Sequence, residues 1–231
     1  ITYYLKERIL ENDGDNAMMK MVFSIYLTFL QLGQSESLLK HLFASLRGFV
    51  NKFPSVLFSG NPNVVGKVCL ELLRCASSRI VSVRNESSAL LYLLMRANFD
   101  HSNGMAMTRI HLQVIISISR LLGDSGLVLL NNPRFQESLA IINNYAGSDK
   151  GMQGGRFPSQ VKDLTKKVRT VLMATAAMRE HENDSEMLLD LQHHLANSYA
   201  ETSPALRRTW LESMARNHVK NENYSEAAHC L

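Results

Sequence analysis

The chain has 231 residues, 45% of them hydrophobic and 20% charged, with a formal net charge of +4. This composition can bury a real core and excludes a disordered tail, which would lack the apolar surface to offset the entropy of ordering. The excess charge lies in residues 1–150, where 15 Lys and Arg face 11 Asp and Glu, while 151–231 balance 10 against 10. It is spread along the chain with no basic stripe of base-reading residues, so a nucleic-acid partner is not expected.

Apolar residues recur at helical spacing almost throughout, and no window keeps strict alternation, so an all-α chain is predicted. A first helix is expected over about 17–32, with Met18, Met21, Val22, Ile25, Phe29 and Leu32 as its core face. Ser35 reads as the N-cap of a second, which gathers Leu38, Leu39, Leu42, Phe43, Leu46 and Phe49 until Phe53-Pro54 stops it. Pro62 suits the first turn of a third helix, which carries Val65, Cys69, Leu72 and Leu73. A fourth runs to about Phe99, and its Leu90–Met95 run is apolar all round, as burial between neighbours on both sides requires. The fifth, near 105–122, aligns Met107, Ile110, Val114, Ile118 and Leu121, with His111, Ile115 and Leu122 beside them.

A loop at Gly123–Gly126 leads past Pro133 into a sixth helix with Phe135, Leu139 and Ile142. Residues 147–158 then concentrate four glycines and a proline, a composition that is costly to order as helix. Beyond that break a long helix from Ser159 to about His181 aligns Val161, Leu164, Val168, Val171 and Met178. The next, near Ser185–Ala200, aligns Leu188, Leu191, Leu195 and Tyr199. Ser203-Pro204 opens a helix through Trp210 and Met214, and Ser225 reads as one more cap, with Glu226 in the favourable first turn. About ten antiparallel helices on short connections suggest an armadillo- or tetratricopeptide-like α-solenoid, in which each pair buries its apolar faces on the next. Three parts are expected: helical region 1–147, flexible linker 148–158, and a further helical unit 159–231. The start at Ile1 and the stop inside the helical run Ser225–Ala228 suggest a piece of a longer protein.

No residue set for chemistry assembles. His193 and His194 are adjacent, about 100° apart on a helix, and so do not share a metal. His181-Glu182 lacks the second histidine of a zinc helix, and His218 and His229 have no ligand partner at a useful spacing. Cys69 and Cys75 stand six apart and point away from each other; with Cys230 they make three cysteines, no secretory framework, and the reduced thiols of a cytoplasmic protein. Gly151, Gly154 and Gly155 lack the Lys and Ser/Thr of a phosphate loop, and no Gly-x-Ser-x-Gly elbow occurs. Trp210 sits at helical spacing from Leu206 and Met214, as a core filler would. The Leu112–Leu122 run is broken by Gln113, Ser117, Ser119 and Arg120 and is too short for a membrane span. Catalytic, metal and cofactor sites are all expected to be absent.

The stretch Val161–Asp184, Val-Lys-Asp-Leu-Thr-Lys-Lys-Val-Arg-Thr-Val-Leu-Met-Ala-Thr-Ala-Ala-Met-Arg-Glu-His-Glu-Asn-Asp, resembles the entry to the DOCKER exchange domain of zizimin-type DOCK proteins. Glu186–Gln192 and Leu206–Ala215 are similar to the first lobe of that domain, and Phe53-Pro54, Leu90–Asp100 and His111–Ser117 to the armadillo-like region before it. The chain departs from the family pattern at Ser185, where a proline is usual, in a longer turn at Glu201–Pro204, and at Asn221–Asn223, which lacks the usual Gly-Asp. The resemblance implies a guanine-nucleotide exchange factor for a Rho-family small GTPase of the cell-division-control or Rac type. Its second and third lobes would do the exchange, and the first lobe would stabilise the domain and contribute to a homodimer. It implies no cofactor, no covalent chemistry, a cytoplasmic location and no direct membrane insertion. The alternative reading is a stand-alone helical adaptor that binds a partner protein.

Overall fold

The computed structural model describes residues 6–14, 16–123, 133–181, 184–200 and 204–231. Among these the chain is all-α, with twelve α-helices and no strand. The loop expected after Gly123 lies largely outside the described residues, as does Ser203. Packing divides the chain into two compact units, Ile1–Lys167 and Val168–Leu231.

Unit 1 begins with α1 (Lys6–Leu10) and one 3-10 turn, Glu11–Gly14. Asn16 joins α1 and this turn to α2 (Ala17–Gln31): its Oδ1 accepts from the Met19 amide at 2.8 Å, and its Nδ2 donates to the Ile9 carbonyl at 2.9 Å and the Glu11 carbonyl at 2.8 Å. Helix α3 (Glu36–Lys52) is capped by Ser35, and Phe53 ends it before Pro54 opens the short α4 (Pro54–Phe58). Leu39, Leu42, Phe43, Leu46 and Phe49 of α3 are buried, as their spacing predicted, whereas Leu38 lies exposed.

Helix α2 corrects the sequence reading. Met21, Ile25, Phe29 and Leu32, expected in the core, are exposed, and Met19, Phe23 and Leu30 are buried instead. The helix is apolar on more than one side, so periodicity alone does not choose a face. The aromatic cluster beneath it does: Phe23 meets Phe49 edge-on at 4.7 Å, Tyr26 meets Phe49 at 6.0 Å, and Phe49 meets Phe53 at 4.8 Å.

Helix α5 (Pro62–Cys75) starts on Pro62 behind the Asn61 cap, and Val65, Cys69, Leu72 and Leu73 are buried. The axis of the unit is α6 (Val81–His101), which packs against α3, α4, α5, α7 (Thr108–Gly123) and α8 (Pro133–Ser148). That position explains the Leu90–Met95 run, of which all but Leu93 are buried. On α7, Ile110, Val114, Ile115, Ile118 and Leu121 are buried; on α8, Phe135, Leu139 and Ile142.

Several polar groups in this interior are paired across helices. Buried Asn98 of α6 accepts from the Ile110 amide at 3.1 Å and so caps the first turn of α7 from a distance. Arg84 donates to the Ser78 and Arg79 carbonyls and to Glu137 of α8 at 3.1 Å. Ser138 donates to the Ala76 carbonyl at 2.7 Å, so α8 also holds the end of α5.

Between Ser148 and Phe157 the glycine-rich stretch runs as turns, and Gly154 takes a positive φ of 80° that suits its missing Cβ. Asp149 fastens the stretch to α6, accepting from the Tyr92 hydroxyl, from Arg96 at 2.8 Å and from the Gly151 amide at 3.0 Å. Met152 and Phe157 are buried, and Phe157 packs on Tyr92 and Phe99. Helix α9 (Phe157–Glu180) follows, with all five of its predicted core residues buried; the division between the units falls inside it.

Unit 2 takes the second half of α9 with α10 (Ser185–Ser198), α11 (Pro204–Lys220) and α12 (Tyr224–His229). Leu195 and Tyr199 are buried, and Leu188 and Leu191 half-buried. Asn223, not Ser225, occupies the N-cap of α12, because the helix starts at Tyr224 and places Ser225 inside its first turn. Glu226 does lie in that first turn.

Candidate protein-interaction surfaces

The side chains singled out in the sequence do not gather. His193 and His194 are both exposed on α10, with the His193 ring 3.2 Å from the Asn197 amide, an ordinary contact between neighbouring turns. Cys69, Cys75 and Cys230 are free thiols. Burial pushes Cys69 up to about 12 and Cys75 to about 11, so both stay protonated at neutral pH. Among the described residues no group of three His, Cys, Asp or Glu side chains converges to hold a metal, and no helix is long and apolar enough to cross a membrane.

In unit 2, α10 packs on α11 and α11 on α12, and small residues allow the approach: Ala196, Ala215 and Ala227 are buried. A polar link threads the α10–α11 contact. Buried Gln192 donates to Ser213 Oγ at 3.0 Å, and its carbonyl accepts from Asn217 Nδ2 at 3.0 Å. Sequence reasoning missed this network. Its signal was weak: three polar residues at helical spacing in two helices whose apolar stripes are sparse. Trp210 is half-buried, and both its indole Nε1 and His218 Nδ1 are shielded from water without a hydrogen-bond partner among the described residues. Outward, unit 2 shows Met173, Met187, Val219 and Tyr224 to solvent. Burial also pushes the Tyr199 hydroxyl up to about 12, keeping it neutral.

Unit 1 carries two surfaces on α2. One is the exposed row Met21, Ile25, Phe29 and Leu32. The other is a groove of about 620 Å³ between α2 and α5, with Arg120 of α7 at its edge. Buried Glu71 lies in its wall, accepting from Gln31 at 3.0 Å and from Arg74 at 3.1 Å. What these elements offer is packing surface and polar recognition, on helices held by paired internal groups.

By class the described residues form an all-α chain of packed helices that carries exposed apolar surface. The family model for DHR-2, Lobe A matches residues 190–231, which are α10 from Asp190 onward with α11 and α12. Over 229 residues, 99% of its length, the chain is 56% identical to Dedicator of cytokinesis protein 11 of Danio rerio and 53% identical to Dedicator of cytokinesis protein 9 of Homo sapiens. Over 219 residues, 95% of its length, it is 41% identical to human Dedicator of cytokinesis protein 7. It belongs to the DOCK family, and its relation to proteins 9 and 11 fits the zizimin branch. The chain spans 11% of proteins 11 and 9 and 10% of protein 7. No solved structure matches it significantly.

Proposed function

We propose that this chain is the supporting part of a DOCK-type guanine-nucleotide exchange factor for Rho-family small GTPases: an armadillo-like region at 1–147, a connector at 148–158 and the start of the DOCKER domain at 159–231. It contributes scaffold and a homodimer surface, while GTPase binding and nucleotide release belong to lobes outside this stretch. The parent works without covalent chemistry of its own and without a cofactor, in the cytoplasm, reaching membranes through other domains.

The observation that carries this reading is the lobe A match on α10–α12, the helices that pack together in unit 2. Met187, Val219 and Tyr224 supply exposed apolar surface on those same helices, the kind of side chain a homodimer would cover. Sedimentation velocity on the chain across a concentration series tests the dimer role. A dimer weakened at least tenfold by Val219→Glu with Tyr224→Ala, with unchanged helicity, agrees. A monomer at all concentrations, in this chain and in a version extended through the rest of the DOCKER domain, contradicts it.

A further inference from the structure

Helix α2 has the composition of a helix enclosed on all sides, but its outer side stands open. Lys20 is the one charged residue in Ala17–Gln31. The helix packs against α1, α3 and α5, and its buried residues are Met19, Phe23 and Leu30. At about 100° per residue, the exposed row Met21, Ile25 and Phe29 lies roughly 145° round the helix from that core, and Leu32 at the C-cap extends it. A side that faces water carries charges outward, as α3 does with exposed Glu36 and Lys40. The all-round apolar run on α6, Leu90–Met95, is instead covered by helices packed around it. By that comparison the outer side of α2 is built to be covered.

The size of the row selects what covers it. Its residues advance by four, four and three, about 16 Å of rise over about three turns, which is the seam a second helix packs into. Exposed fractions of 65%, 50%, 40% and 55% leave about 400 Å² of apolar surface open. That is about half of the ~800 Å² per partner buried in a stable complex between separate molecules. A helix tethered on the same polypeptide needs less contact, because the linkage holds it at an effective concentration in roughly the millimolar range. A longer polypeptide is at hand: the chain spans 11% of Dedicator of cytokinesis proteins 11 and 9 and 10% of protein 7, so most of each relative lies outside the matched stretch.

We infer that the row Met21, Ile25, Phe29 and Leu32 is an intramolecular packing face, covered in the full-length parent by an amphipathic helix from outside residues 1–231. The contact side of that helix is apolar and uncharged, matching the row. The inference rests on the reading of the chain as one stretch of a longer DOCK protein. A second copy of the parent and a helix of a separate protein are the competing occupants.

The test compares this chain with the full-length parent. Ile25→Cys is introduced in both, and maleimide labelling at that position is timed by peptide mass spectrometry. The expected result is rapid labelling in the chain and labelling at least tenfold slower in the parent. Because a cysteine could itself loosen the contact, a photoreactive benzoylphenylalanine at Phe29 provides a second reading in an equal mixture of isotopically light and heavy parent. The expected product joins position 29 to a peptide outside 1–231, with light linked only to light and heavy only to heavy. In the chain, Met21→Gln should leave the urea midpoint unchanged, whereas in the parent it should speed labelling at Ile25→Cys severalfold. Equal labelling rates in chain and parent, light-to-heavy products, a cross-link to a separate protein, or no cross-link would each overturn the inference. A covered row in a parent that does not accelerate GDP release refutes the exchange reading alone, and an open row in an active parent refutes this inference alone.

Discussion

Replacing Asp149 with alanine should loosen unit 1 far more than its place in a glycine-rich turn suggests. Its carboxylate accepts from the Tyr92 hydroxyl, from Arg96 at 2.8 Å and from the Gly151 amide at 3.0 Å, and its side chain is only 13% exposed. Hydrogen bonds to a charged acceptor contribute about 1.5–3 kcal/mol when enclosed, which applies to the Tyr92 contact. The Arg96 side chain is 39% exposed, so solvent screening reduces its share to about 0.5–1 kcal/mol, and the exposed Gly151 amide adds about 0.5. The expected loss is about 3 kcal/mol, or roughly 6–12 °C in melting temperature for a unit of this size. Urea unfolding followed by circular dichroism measures it. In a double-mutant cycle with Tyr92→Phe, the combined loss should fall short of the sum by about 1.5–3 kcal/mol, because both changes remove the same bond. A loss below about 0.5 kcal/mol for Asp149→Ala, the range of an ordinary surface change, would refute the reasoning.

Three further outcomes follow from the packing. Leu94→Ala, at a fully buried position on α6, should cost about 2–5 kcal/mol, while Met21→Ala on the exposed row of α2 should stay within about 0.5; equal effects in urea titrations would place the α2 core face wrongly. Asn98→Ala leaves the Ile110 amide without its acceptor and should cost about 1–3 kcal/mol, with faster hydrogen exchange confined at first to the start of α7. His111 is held below the ordinary imidazole range, first by burial and then by Lys167, with Asp163 opposing. The unfolded chain therefore binds the proton more readily, so this contribution is fully present above about pH 6.5 and is lost as pH falls from there through the depressed folded value. His111→Gln should flatten the fall of the urea midpoint between pH 7 and 5, and an unchanged slope would count against the burial of this ring.

Much of the helical frame was legible because its signals are local. Ser35, Pro54 and Pro62 fix helix ends through amide bonding and proline geometry, which neighbouring elements do not alter. The single stripe of α9 left one choice of core face, and Val161 through Met178 occupy it. Helix α2 was misread because two of its faces are apolar and Phe49, on another helix, decides between them. Ser225 was misread because Asn223 two residues earlier can also start a helix, and spacing does not rank them. The glycines marked where helices break but not that Asp149 would bind the break to α6, since that depends on Tyr92 and Arg96 more than fifty residues away. For the surfaces, the Gln192, Ser213 and Asn217 link and the α2–α5 groove exist only once two helices are side by side.

The most direct test of the central claim is the rate of labelled GDP release from purified Rho-family GTPases. It would compare this chain, a version extended through the rest of the DOCKER domain, and that version carrying Leu195→Asp in the unit 2 core. The account predicts no acceleration by the chain alone, clear acceleration by the extended protein, and a large loss on the core substitution. Acceleration by the chain alone, or full activity after unit 2 is disrupted, would contradict it.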